Sequence, residues 1–275
     1  MGLRVNTNME AINAHNNLIN TNSKIAQSLQ RLSSGLRINS AKDDAAGYAI
    51  ANNFAAKIAS MKVASQNATE AQSMLQVADG AYSKINDILT RMKSLATQAA
   101  SGQTDDSMMT TEFTALQGEI DRIANSTFYG DKKLVAGGLS GAGVTFQVGA
   151  TANSDNQINI SLDLALTTAL GVDSGSINVG DTASAQAAMD AIDAALTSIN
   201  SYMGSVGAYQ NRLQYTIENL ATGIENYSSS ESAIRDVDMA DEISEFTKNQ
   251  ILQQSGMAML AQANSAPQQI LTLLK

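Results

Sequence analysis

The 275-residue chain has no cysteine, no tryptophan and one proline, and only 4% of it is aromatic. Without cysteine there are no disulfides and no thiolate metal or redox chemistry. Durability must then come from packing or from association with other molecules. Aromatic side chains dominate burial in most cores. A chain with so few must bury its area through Ala, Leu, Ile and Met at helical spacing, which suits long thin bundles better than a thick layered domain. Basic charge is scarce as well, with 17 Lys and Arg against 26 Asp and Glu, a formal net charge of −9. That balance supplies no basic stripe for nucleic acid and argues against an anionic membrane surface. No apolar run reaches the roughly 20 residues of a membrane span. The opening MGLRVNTNMEAINAHNN lacks the apolar centre of a cleavable signal peptide. Met1-Gly2 would suit myristoylation, but Asn6 stands where that motif needs Ser or Thr. The expectation is a protein that is cytosolic or leaves by a route that reads no cleavable signal.

What the chain does have is helical periodicity. Leu18, Asn22, Ile25, Leu29, Leu32 and Leu36 alternate steps of four and three, a heptad seam with one polar member. Met74, Val77, Ala81, Ile85, Ile88, Met92, Leu95 and Ala99 form a second, with one doubled four-step that reads as a stutter. Phe113, Leu116, Ile120 and Ile123 mark a shorter helix. The clearest seam runs Met189, Ile192, Leu196, Ile199, Met203, Val206, Gln210, Leu213, Ile217, Leu220, Ile224, Tyr227. At ~1.5 Å per residue that is a rod of nearly 60 Å, and its apolar stripe needs a partner. The second seam and the shorter helix are the natural ones.

Between Ser126 and Asp181 glycine punctuates the chain, and two alternating runs, Val144–Val148 and Gln157–Ser161, predict a pair of β-strands. Helical pattern resumes over Ile243–Lys275, where apolar residues are interleaved with Gln250, Gln253, Gln254, Gln262 and Asn264. Pro267 is expected to kink or restart this last helix. So polar a seam is weak as a private core, and its amides could set register between neighbouring molecules. The helices at the two ends, lacking evident partners in the bundle, are expected to be labile in a free monomer and to fold on docking. The fold class predicted is mainly α: a long antiparallel coiled coil or helical bundle built from both chain ends, with a small β-rich insert in the middle.

Candidate chemistry is sparse. Asp236, Asp238, Asp241, Glu242 and Glu245 suggest calcium, but the spacing fails the EF-hand pattern. Carboxylates at a helix start complement its positive end, so a structural role is expected. His15 is the sole histidine and continues the first seam. With no second histidine and no cysteine, neither a metal site nor a Ser-His-Asp triad can be assembled. No cofactor and no enzymatic activity are expected.

Three stretches then become specific. QRLSSGLRINSAKDDAAGYAIA at Gln30–Ala51, GEIDRIANSTFYGDKKL at Gly118–Leu134, and AIRDVDMADEISEFTKNQILQQSGMAMLAQAN running into ANSAPQQILTLLK at the C-terminus resemble bacterial flagellins at both ends of the chain. The resemblance implies an extracellular subunit of the bacterial flagellum, exported through the flagellar type III channel, which polymerises through its terminal helices into a filament for motility. Residues 1–40 and 236–275 would form the inner tube, 41–125 and 182–235 the outer-tube bundle, and 126–181 its Gly-rich β-hairpin insert. Large outer domains are absent from so short a middle. Polymerisation would fall to Leu18, Ile25, Leu29, Leu32, Leu36, Ile243, Phe246, Met257, Leu260, Leu271 and Leu274. Implied partners are further copies of the chain, an export chaperone on the C-terminal helix, the filament cap and hook-junction proteins, and host flagellin receptors; no nucleic acid or membrane is implied. Gly35, Lys42, Asp43, Asp44 and Gly47 match the linker between the tubes, a segment that the plant flagellin receptor reads, and the two glycines are expected to give it backbone freedom. Arg91, Leu95 and Glu112 match positions that a Toll-like receptor contacts, although Lys93-Ser94 replaces a common Arg-Glu; on spacing alone they read as ordinary helix surface with Leu95 in the core. A hook–filament junction protein shares the layout of the ends and is the alternative. A protease-bearing flagellin would need an HExxH helix in the middle, where there is no histidine. A membrane-active amphipathic protein is remote, because the last helix has little positive charge.

Overall fold

The computed structural model describes residues 7–102, 106–141 and 143–273, with residue 106 and residues 266–273 described by backbone alone. Six helices and four short strands occur among them: α1 Met9–Ser34, α2 Ala45–Ala99, α3 Asp106–Ser126, β1 Phe128–Tyr129, β2 Lys132–Lys133, β3 Val144–Gln147, β4 Gln157–Ile160, α4 Thr167–Leu170, α5 Thr182–Arg235 and α6 Met239–Leu273. The chain is mainly α, with long terminal helices packed on each other and only small antiparallel strand pairs in the middle. Helix α6 runs past Pro267 to Leu273 without the restart expected there. Contacts divide the chain into two compact units. One holds the residues through Lys57 and those from Asn226 onward; the other is Ile58–Glu225.

In the middle unit, α5 follows its heptads closely. Ile192, Ile199, Val206, Leu213 and Leu220, one every seven residues, are all buried, and the remaining seam members are half-buried. Alanines make close approach possible on both long helices, with Ala64, Ala68, Ala71 and Ala78 buried on α2 and Ala185, Ala188 and Ala195 on α5. The two run antiparallel, as three contacts show: Tyr82 on Tyr202 with ring centroids 5.9 Å apart, Asn86 Nδ2 donating to Asn200 Oδ1 at 3.0 Å, and Lys93 Nζ to Asp193 Oδ1 at 2.5 Å. Val77, expected in the α2 seam, is exposed, and the adjacent Ala78 faces inward instead. Tyr82 is fully buried and its hydroxyl donates to the Asp163 carbonyl at 2.7 Å, a partner that a buried phenol needs. Burial above all, then the Asp163 charge, raises its pKa.

The strands expected around Val144 and Gln157 pair antiparallel, Val144 opposite Ile160 and Gln147 opposite Gln157. A second small hairpin, β1 with β2, has strands too short to leave a sequence pattern. Loops are pinned by side chains rather than by sheet. Asp121 accepts from Thr167 N and Oγ1 at 2.9 and 2.8 Å, Gln117 Nε2 donates to the Val172 carbonyl at 2.8 Å, and Asn67 Nδ2 to the Gln147 carbonyl at 3.0 Å.

Candidate assembly surface

The terminal unit is built on α1 and α6. Asn8 caps α1, its Oδ1 accepting from Ala11 N at 3.1 Å, and Gly35 ends it at φ 72° with its N–H on the Arg31 carbonyl at 2.8 Å. That left-handed conformation favours glycine. Asp238 caps α6, accepting from Ala240 N at 2.9 Å. The two helices lie antiparallel. Asn8 Nδ2 donates to the Ala263 carbonyl at 2.6 Å at one end of the pair, Gln253 Nε2 to Asn22 Oδ1 at 2.7 Å in the middle, and Arg31 Nη1 meets Glu242 Oε2 at 3.5 Å at the other end.

The seam between them mixes apolar residues with small and polar ones. On α1 the inward positions are Ala11, Ala14, Leu18, Thr21, Ile25, Ser28 and Leu32; on α6 they are Glu242, Phe246, Asn249, Gln253, Gly256, Leu260 and Ala263. A Cβ at Gly256 would sit 3.3 Å from Leu18 Cδ1. The first expected seam is therefore corrected. Thr21 and Ser28 take the inner places, while Asn22 and Leu29 lie at more exposed positions, Leu29 with 52% exposure. His15 is exposed and outside the seam as well. Most of the large apolar side chains described for this pair are exposed, among them Met9, Ile12 and Ile19 on α1, and Ile243, Ile251, Leu252, Met257 and Met259 on α6. The set singled out from the sequence is accordingly divided. Leu18, Ile25, Leu32, Phe246 and Leu260 are half-buried in the seam, Leu29, Ile243 and Met257 are exposed, and Leu36 forms a β-bridge with Asp236. The side chains of Leu271 and Leu274 fall outside the described residues. Gln253, one of the amides expected to face neighbours, bonds within its own chain, whereas Gln250, Gln254, Gln262 and Asn264 are exposed.

The segment after α1 is a tied turn. Asp43 Oδ2 accepts from Asn39 N, Ser40 N and Ser40 Oγ at 3.1, 3.0 and 3.1 Å. The Ser40 N–H above all, then the Asn39 N–H, the Ser40 hydroxyl and the Gln27 amide, hold the Asp43 carboxyl below its usual pKa. Asp44 caps α2, its Oδ1 accepting from Ala46 N and Gly47 N at 3.0 Å each. Gly47 lies in the first turns of α2, and its role differs from the one expected. A Cβ there would meet Asp44 Oδ2 at 2.5 Å and Ile38 Cδ1 at 2.8 Å, so the position requires space rather than backbone freedom. Lys42 is exposed.

Arg91 and Glu112, on different helices, form a two-point pair, Nε and Nη2 reaching Oε1 at 2.9 and 2.7 Å. Leu95 does not join them on the surface; it is 2% exposed and packed in the core. Most of the acidic residues near α6 have a partner or a cap to serve: Asp236 takes the Ser232 hydroxyl, Asp238 caps the helix, Glu242 meets Arg31, and Glu245 meets Lys248, while Asp241 is exposed. Among the described residues no group of three or more His, Cys, Asp or Glu side chains is placed to hold a metal, and no helix is long and apolar enough to cross a membrane.

The architecture defines a class of helical protein whose terminal pair buries polar side chains in its seam and leaves many large apolar ones exposed. Two family models match the chain, the bacterial flagellin N-terminal helical region over residues 5–139 and the C-terminal helical region over residues 189–274. The flagellin of Bacillus subtilis strain 168 is 39% identical, covering 99% of this chain and 100% of its own length. That of Halalkalibacterium halodurans is 40% identical, with 98% and 99% covered. The flagellar filament 33 kDa core protein of Treponema phagedenis is 38% identical over the same shares. The chain belongs to the bacterial flagellin family, structural proteins of the extracellular flagellar filament rather than enzymes.

Proposed function

We propose that the chain polymerises with copies of itself through α1 and α6, and that the resulting helical filament serves motility. The observation that carries this reading is the large apolar surface left uncovered on the terminal pair, where Ser28, Asn249 and Glu242 are buried while Ile12, Ile19, Ile251 and Met259 are in water. Burying those side chains between neighbours gains about 25 cal/mol per Å². Heterologous contacts that do not close into a ring extend the assembly as an open helix. In this reading residues 1–40 and 236–275 line the inner tube, 41–125 and 182–235 form the outer tube, and 126–181 cap it.

The reading extends to further partners. A chaperone covers the apolar face of α6 before export, and cap and junction proteins meet the ends of the polymer. Host receptors are the remaining class. The tied turn containing Lys42, Asp43 and Asp44 suits one recognition site, and the exposed Arg91–Glu112 pair, without the Leu95 side chain, suits another.

Electron microscopy of purified chain after salting-out, beside a chain ending before Ile243, tests the central claim. Long uniform filaments from the full chain and none from the shortened one are expected. A full chain that stays monomeric when seeded with filament fragments would overturn it.

A further inference from the structure

The twelve methionines are the only oxidisable sulfurs in a chain without cysteine. Their placement differs sharply between the two units. In the middle unit Met74, Met92 and Met109 are buried, Met61, Met189 and Met203 are half-buried, and Met108 alone is well exposed. In the terminal unit every described methionine is exposed: Met9 on α1, and Met239, Met257 and Met259 on α6. Asn8 bonds the Ala263 carbonyl, so Met9 lies at the end of the helix pair that carries Met257 and Met259. Met259 lines a groove of about 930 Å³ along the pair, beside Leu252, Leu18 and Gly256.

Resting on the polymerisation reading above, we propose that Met9, Met239, Met257 and Met259 are oxidation sites that gate assembly. Conversion of their thioethers to sulfoxides by a peroxide keeps the free subunit from entering the filament. In the step, the Sδ lone pair attacks one peroxide oxygen and the O–O bond breaks. Sulfur gains that oxygen, and the other leaves as water. Sulfur is oxidised by two electrons and the peroxide is reduced. The product is polar and chiral where an apolar interface needs a flexible hydrophobe. Burial protects Met74 and Met92, so the middle unit keeps its fold while the assembly face is lost. The reaction is reversible by methionine sulfoxide reductases.

Hydrogen peroxide treatment of the purified subunit, followed by peptide mass spectrometry and a measurement of the critical concentration for polymerisation, tests the proposal. Sulfoxide is expected first at Met9, Met239, Met257, Met259 and the exposed Met108, and last at Met74 and Met92. The critical concentration is expected to rise about tenfold or more, with return to the untreated value after sulfoxide reductase treatment. A chain carrying Met9→Leu, Met239→Leu, Met257→Leu and Met259→Leu should polymerise equally with and without peroxide, and Met108→Leu alone should leave the sensitivity in place. Oxidised subunits that assemble at the untreated critical concentration would overturn the proposal, as would sensitivity undiminished in the fourfold variant. If that variant fails to assemble, recovery by the reductase still decides the matter. Failure of the untreated chain to assemble would instead defeat the polymerisation reading itself.

Discussion

The terminal and middle units use the same heptad grammar with opposite vocabularies. The middle unit fills its inward positions with Ile, Leu, Val, Met and Ala around Tyr82 and Phe113. The terminal unit mixes Thr21, Ser28, Asn249 and Gln253 with its inward apolar residues and leaves Ile12, Ile19, Ile251, Met257 and Met259 exposed. The first arrangement satisfies itself within one chain. The second leaves apolar area in contact with water, which is a reason to associate. A long seam is therefore no guarantee of private stability; what occupies its inward places decides whether the helix is finished or waiting.

The largest expected effect separates the two directly. Leu213→Ala or Ile85→Ala, each in the middle core, should destabilise the monomer by about 2–5 kcal/mol in urea unfolding. Ile251→Ser or Ile12→Ser in the terminal unit should shift it by less than about 0.5 kcal/mol and yet weaken polymerisation. Equal losses from both pairs in the monomer would erase the distinction. A smaller effect is expected from repairing the terminal seam. Asn249→Leu removes a buried amide and should slow amide exchange across α1 and α6 in the free chain, a gain on the order of 1 kcal/mol. Unchanged exchange would mean that polarity is not what weakens this pair. Of similar size, loss of the α2 cap in Asp44→Ala should cost about 1 kcal/mol by thermal unfolding.

The subtlest test is acid. The folded Asp43 pKa lies below its unfolded value, so its contribution to the turn is complete above that unfolded value and fades as pH falls through the folded one. An NMR titration should place its midpoint below about 3.9. A midpoint at or above that value would show that the Ser40 and Asn39 amides do not hold the carboxylate in solution.

How far the sequence disclosed this depends on what each seam is made of. The α5 seam was legible throughout, because every place but Gln210 carries a large apolar side chain or Tyr. The α1 seam departs from its expected line at Leu29, which is exposed, because a search for apolar residues passes over Thr21 and Ser28, the more buried positions; Asn22, though exposed, still accepts from Gln253 across the pair. Alanine misleads in the same way, and Ala78 takes the place that Val77 advertised. Spacing alone could not join Arg91 to Glu112, because nothing local links the ends of two helices. The purpose of Gly47 was hidden too; it answers to Ile38 and Asp44 close around it, not to a backbone angle.

The pairing of the helices has one further consequence. Asn8 with Ala263, Arg31 with Glu242, Phe54 with Tyr227, Asn86 with Asn200, and Val144 with Ile160 are nested like brackets, each enclosing the next. Extra sequence placed in the innermost bracket, between Gln147 and Gln157, lies inside all of these pairs and slips none of them out of register. Each doubling of that loop costs only about 0.6 kcal/mol in closure entropy. An insertion within α1 or α6, by contrast, would shift every outer pair beyond it. Length added there leaves the pairing of both ends fixed to the residue.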